Sequence, residues 1–448
     1  MSARRSPSED GMRRVLIVKY HFLPVHNVAV KRLVGYAKQL PSFGWHPVVL
    51  TNAWHGIEGE DASWGLSWEP EIERNAGFPI HHVPWPGRIP RAPRWRKAPW
   101  PLRKAATLSH LLFGDYPDEF IRWARPAVAA AVDLGRRSPF DAVMSYCPPE
   151  TNHVVGRRIA RALDVPWIPF FGDLWGFFLD HSPAGFSPGG LLRKAYHRRW
   201  LAAAAACGAV SPYMVKYLAR TYRKRAELVL TGFDPEEFAG SSPVREKGSE
   251  RLVVSHVGSL YPGDQKPEIF FDGLDRVLRS HPELESQLEV RFVGSKCEAF
   301  LRELVAGRAC QAVCVIQPKV DSRAAISLVE ESDVLLAFNC SAHRARHGTL
   351  SYPTKIFEGF GARRPILAIP PDGDWVDELL ARTGAGTAAR DAEEVADVLW
   401  EWFSSWARDG QVSYRGRSEE IEAFSLPSQV ARLSELLSAA AGRNGGRP

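Results

Sequence analysis

Three side chains on one short predicted helix carry the most concentrated chemistry in this sequence: Thr354, Lys355 and Glu358, within TLSYPTKIFEGFGARRPILAIPPDGD at 349–374. Ser351, Tyr352 and Pro353 are residues that begin helices, so the spacing predicts a helix over 355–361 with Gly361 as its cap. A loop feeding a helix N-terminus presents backbone N–H groups and the positive end of the helix dipole, which suits a phosphate. Lys355 adds a cation there. Glu358, one turn further on the same face, can accept hydrogen bonds from a ligand hydroxyl. A phosphate beside a diol describes a nucleotide. The same residues equally describe an ordinary capped helix with a solvated lysine and glutamate, and on these residues alone the two readings stand level.

The surrounding elements decide what such a helix can be part of. Pro365 opens a short apolar run to Ile369 of the kind a buried parallel strand needs, and 370–374 is a turn. Strands are expected at 252–256, 290–294, 314–317 and 334–338, with a loop at 258–263 before a helix from Pro267. An earlier series opens with a strand at 14–19, a helix at 28–40 and a strand at 45–51, a Rossmann-like βαβ unit. It continues with a helix at 118–136, a strand at 140–146, a helix at 150–163 and a strand at 166–171 that delivers Gly172, Asp173, Leu174 and Trp175. Residues just past the carboxyl ends of parallel strands line the crevice of such folds, so Asp173 is either a functional carboxylate or a turn residue. A strand at 227–230 precedes the polar run AGSSPVREKGSE, and helices follow at 391–402 and 426–441. This organisation reads as a lead-in (1–13), a first domain (14–240), a linker (241–250), a second domain (251–405) and a C-terminal helical segment (406–448) returning towards the first domain.

Several of these stretches resemble one family. KIFEGFGARRPILA resembles the nucleotide-sugar site of retaining GT-B glycosyltransferases of the family-4 type, in which two glutamates are separated by seven residues and the second holds the donor ribose. Glu358 matches the second; the first position is Leu350. PPETNH and FFGDLW resemble the family's S-x-P-P and R-D-x-W segments, with Gly172 where many relatives carry His. TGFD at 231–234 resembles the family's N-G-F-D. The segment 258–263, GSLYPG, resembles its G-x-L-Y-x-G loop. In the loop after the first strand, where relatives usually have a Gly-Gly pair, this chain has Val25, His26, Asn27 and Val28.

The resemblance implies an α/β fold of the GT-B type, two Rossmann-like domains facing across a cleft. It implies sugar transfer from a nucleotide-sugar donor to a glycan, lipid-linked or small-molecule acceptor, with retention and without a metal or other cofactor. The implied donor residues are Gly258, Ser259, Lys266, Tyr352, Thr354, Lys355 and Glu358. Lys266 stands where a basic residue neutralises the leaving diphosphate. The implied acceptor side is His26, Asn27, Arg32, Asp173 and Trp175, with Asp173 and Lys266 as the catalytic pair. Two alternatives remain: a nucleotide-sugar epimerase of the same fold, and a nucleotide-sugar-binding subunit without catalysis.

Composition bounds the rest. The chain has 448 residues, net charge +6 and 45% hydrophobic residues, enough for two globular cores and mildly favourable to anionic partners. Its cysteines form no C-x-x-C pair, which argues against zinc or a disulfide framework and for a reduced cytoplasmic compartment. The N-terminus lacks a signal-peptide core and no run is long enough to span a bilayer. The acidic pair at 372 and 374 reads as a turn rather than a metal motif. Residues 85–104 combine Arg and Lys with Trp and Pro, which fits an anionic membrane at the inner face of the plasma membrane better than nucleic acid.

Overall fold

Strands that are apolar without alternation need cover on both faces, and parallel packing between helices supplies it. The first series yields β1 (Arg13–Val18), β2 (Val25–His26), β3 (Trp45–Asn52), β4 (Ser67–Trp68), β5 (Ile80–Val83), β6 (Ala142–Cys147), β7 (Trp167–Phe171), β8 (Cys207–Ala209) and β9 (Ala226–Leu228). Seven of these form one parallel sheet in the order β5-β3-β1-β6-β7-β8-β9, while β2 and β4 pair separately. Every residue of β6 and β7 is buried. In register, Ile17 sits between Val49 and Met144. The chain builds outwards from β1 in one direction and then from β6 in the other, so the sheet reverses between β1 and β6.

The second series gives β10 (Leu252–Val257), β11 (Leu288–Val293), β12 (Cys314–Gln317), β13 (Val334–Phe338), β14 (Ile366–Ile369) and β15 (Gly386–Ala388). They form a parallel sheet ordered β12-β11-β10-β13-β14-β15, which reverses between β10 and β13. Its core gathers Phe270, Phe271, Phe292 and Phe338 beneath the helices Pro267–Ser280 and Ala392–Asp409.

The structure, a computed structural model, describes residues 11–53, 67–68, 70–84, 117–118, 120–174, 188–239, 250–262, 265–294, 297–339, 353–370 and 375–442. The chain divides into two compact units: Met1–Val229 with Val430–Pro448, and Leu230–Gln429. The helix Leu426–Gly442 supplies the first unit's last piece, where Trp45 Nε1 donates to Ser438 Oγ at 3.4 Å and Ser434 Oγ donates to the Phe43 carbonyl at 3.3 Å. The two ends of the second unit are clasped together. Leu230 N–H donates to Gln429 Oε1 at 2.8 Å, and Phe233 exchanges backbone bonds with Phe424 (3.1 Å) and Leu426 (2.6 Å).

Some local expectations change. The segment expected to be helical from 118 is a 3-10 turn at Ile121–Trp123 followed by the helix Ala124–Arg137. Asp118 instead serves another helix, accepting from Thr151 N–H at 2.8 Å and from the Thr151 hydroxyl. The helix expected at 391–402 runs on to Asp409, capped by the Asp391 carboxylate. Gly361 is not a cap. The helix is Thr354–Ala362, and Arg363 closes it in the left-handed region at φ 53°. Gly361 lies inside the helix because a Cβ there would sit 2.4 Å from the Phe238 ring.

Candidate functional site

In the second unit three of the expected donor residues, Gly258, Lys355 and Glu358, gather beside the carboxyl end of β10, where the sheet reverses. Such reversal points are where ligands bind in open α/β sheets. Gly258 follows β10 at φ +131°, a conformation that disfavours any side chain, and its N–H is held by the Val293 carbonyl at 2.7 Å. The space a Cβ would need is taken: it would lie 2.4 Å from both Cε and Nζ of Lys355. Lys355 Nζ also lies 3.2 Å from Glu358 Oε2, with the two side chains 22% and 31% exposed. Gly258, Lys355 and Glu358, three of the expected donor residues, are therefore in one place. Thr354, the first residue of the helix, and Ser259 are both half-buried.

Lys266 is exposed at the residue preceding the helix Pro267–Ser280. The loop that carries it is fixed by a residue not singled out from the sequence. Gln265 Oε1 accepts from Tyr261 N–H at 2.8 Å while its Nε2 donates to the Phe338 carbonyl, the end of β13, at 2.7 Å. Beneath the site, His256 is buried and in contact with the Leu336 carbonyl at 3.0 Å through Nδ1. Burial lowers its pKa to about 4, with the charge of Lys355 acting the same way, so it is neutral at physiological pH. Tyr352 and Leu350 lie outside the described residues, as do 372 and 374.

In the first unit the matching position is the end of β1 and β6. Arg32 is not a solvated helix residue: it is 8% exposed and donates to the Tyr146 hydroxyl. Tyr146 stacks on Phe170 at 5.3 Å. Its hydroxyl occupies the space above Gly172, where an added Cβ would be 2.1 Å away. Asp173 follows, half-buried, with Oδ1 accepting from Leu174 N–H at 2.7 Å. Burial raises the Tyr146 pKa; Arg32's charge and hydrogen bond oppose this, and Cys147 and Asp173 add to it. Burial pushes the Cys147 thiol well up too, with Glu150 and Asp173 contributing, so it is not a nucleophile.

Lys19 belongs to this cluster and was not among the residues picked from sequence. It follows directly on β1, is 2% exposed, donates to the Pro148 carbonyl at 2.5 Å and sits 4.9 Å from the Tyr146 ring centre. Burial lowers its pKa to about 7, Cys147 raising and Arg32 lowering it further. A lysine closing an apolar parallel strand is the available signal, and sequence alone makes it no more than the strand's end. Asn27 is committed to its own backbone: its side-chain oxygen accepts from Val30 N–H at 3.0 Å and caps the helix Val28–Gln39. His26 lies in β2. Trp175 and 85–104 lie outside the described residues.

Residues 29–232 match the sequence model of a glycosyl transferase 4-like domain. No curated protein matches the chain. Among solved structures, HepE from Anabaena in complex with UDP is 13% identical, with 95% of this chain and 100% of that one covered at a TM-score of 0.57. The N-terminal domain of trehalose-6-phosphate phosphatase from Candida albicans is 11% identical, with 98% and 99% covered at a TM-score of 0.59. At these identities the likeness is one of fold, and it extends over both units. With two reversing parallel sheets and the matched domain, the chain is a glycosyltransferase of the GT-B fold. Among the described residues no group of three or more His, Cys, Asp or Glu could hold a metal ion, and no helix is long and apolar enough to cross a membrane.

Proposed function

We propose that this glycosyltransferase takes its sugar from a nucleotide-sugar donor held by the second unit and passes it, with retention and without a metal, to an acceptor bound by the first. The observation that carries the donor assignment is the placement of Lys355 Nζ against Gly258, beside Glu358, at the reversal of the second sheet. Gly258 and Ser259 let backbone approach a diphosphate. Lys355, Lys266 and the helix start at Thr354 stabilise the negative charge that grows on it as the glycosidic bond breaks. Glu358 accepts hydrogen bonds from the ribose hydroxyls. On the acceptor side, Asp173 faces the acceptor or the reacting centre, and Arg32 acts through Tyr146 rather than by direct contact. The reaction serves glycoconjugate or polysaccharide assembly on the cytoplasmic side, a reading that the family resemblance supports.

UDP is the first nucleotide to try, because the HepE structure of similar fold contains it. Calorimetry with UDP, followed by release of UDP from UDP-sugars with and without added acceptors, tests the proposal. Release that depends on an acceptor supports transfer. Interconversion of the donor with no acceptor consumed would establish an epimerase instead, and binding with no turnover at all a non-catalytic subunit. The configuration of the product's new bond, read by NMR, decides retention.

A further inference from the structure

Lys266 is exposed and makes no capping bond to the helix it precedes. An ammonium on a flexible four-carbon stem reaches a fixed point only if its backbone is fixed. On one side that backbone is held by Pro267, buried at the first position of Pro267–Ser280. On the other side stands Gln265. Its N–H donates to the Tyr261 carbonyl at 2.9 Å, which closes the loop. Its side chain faces two ways. Oε1 accepts from Tyr261 N–H at 2.8 Å, and Nε2 donates to the Phe338 carbonyl at 2.7 Å. The partners decide which end of the amide is which, since an N–H needs the oxygen and a carbonyl needs the nitrogen.

Closing the loop takes only the bonds to Tyr261. The bond to Phe338 reaches a residue 73 positions away, the last of β13. β10 and β13 are neighbours in the sheet, and its strand order reverses between them, so the crevice opens between their carboxyl ends. Gln265 ties the loop that leaves one wall of this crevice to the end of the other wall. A carboxamide can accept from an N–H and donate to a carbonyl at once, which neither a carboxylate nor an ammonium can do. We propose that Gln265 is a positioning residue of the donor site: it holds Lys266 where the ammonium meets the diphosphate. Gln265 acts through Lys266 and not by touching substrate. This rests on the donor reading and deepens it by naming what keeps the lysine in place, the kind of supporting bond that a charge on a loop requires.

Calorimetry with UDP, and with uridine, which carries no phosphate, tests this on wild type, Gln265→Met, Lys266→Ala and the double variant. A charge-assisted contact to phosphate is worth about tenfold in affinity, so Lys266→Ala should bind UDP about tenfold more weakly. Gln265→Met matches the length of glutamine without either side-chain bond. It should lose about fivefold for UDP while uridine affinity stays within about twofold of wild type. The double variant should bind UDP within about twofold of Lys266→Ala, because no ammonium is left to be positioned. Gln265→Asn, one methylene short of both partners, should repeat the pattern more mildly, and it serves if the methionine variant fails to fold. A residue that only stabilises the loop would add its full effect in the Lys266→Ala background and would weaken uridine together with UDP. Either result overturns the proposal, as does UDP binding by both Gln265 variants equal to wild type. If Lys266→Ala binds UDP as wild type does while Glu358→Ala does not, this proposal falls and the donor reading stands. If wild type does not bind UDP, the donor reading itself falls.

Discussion

Glu358→Ala separates the two readings of its helix, because structure assigns the side chain a small part in stability and function a large part in binding. Its partner, Lys355 Nζ, is 3.2 Å away, three residues earlier on the helix and partly exposed. Such pairs contribute roughly 0.2–0.5 kcal/mol, and alanine's better helix propensity offsets part of that. At about 2–4 °C per kcal/mol for a unit of this size, the melting temperature should move by no more than about 2 °C. Binding is different. A carboxylate accepting a ribose hydroxyl makes a charge-assisted bond of roughly 1.5–3 kcal/mol, and 1.4 kcal/mol is a factor of ten. UDP affinity by calorimetry should therefore fall at least about tenfold. Glu358→Gln, which keeps one acceptor, should lose less. Inorganic pyrophosphate, which has no ribose, should bind wild type and variant alike. A folded Glu358→Ala protein that binds UDP as tightly as wild type would refute the assignment of this helix to the donor.

Three further outcomes follow from groups packed in the interior. Gly172→Ala pushes a methyl into the Tyr146 hydroxyl, and overpacking at such a contact costs roughly 1–3 kcal/mol, so the melting temperature should drop by several degrees; an unchanged melting temperature would mean the tyrosine does not fill that space. His153 and His256 are held neutral by burial, to about 3 and about 4, below the 6.5 of the unfolded chain. The unfolded state takes up their protons first, so the stability they contribute is present above about pH 6.5 and is lost as pH falls towards 4, at up to roughly 1.4 kcal/mol per unit for each. Denaturant titrations at pH 7.5 and 5 should show this loss, and His256→Asn should flatten it. For Lys19, whose folded pKa of about 7 lies below its usual 10.5, the same linkage makes stability rise from pH 7 to 8.5, and Lys19→Met should abolish that rise.

Much of the scaffold was legible because parallel strands announce themselves as unbroken apolar runs. VLLAF and ILAI needed no other information. The meeting of Gly258 with Lys355 was legible only through resemblance, since nothing local relates residues almost a hundred positions apart. Lys19 and Tyr146 were missed for a physical reason. Each ends a buried strand, and whether such a polar end meets solvent, a ligand or another side chain depends on what the sheet reversal places beside it. Gly361 misled in the opposite way: glycine at a helix end usually serves a positive φ, whereas here it makes room for Phe238, a long-range demand that composition does not reveal.

The clasp between Leu230 and Gln429 has a consequence for the order in which the protein is finished. Everything the second unit needs has been synthesised once Gln429 has emerged. The first unit, although it starts first, still lacks the helix that packs on Trp45 and Phe43. Its opening strands must wait, with that surface uncovered, while a complete neighbour is built in the middle of the chain. A stop codon shortly after Gln429 would therefore leave the C-terminal-side unit intact and strip the N-terminal one.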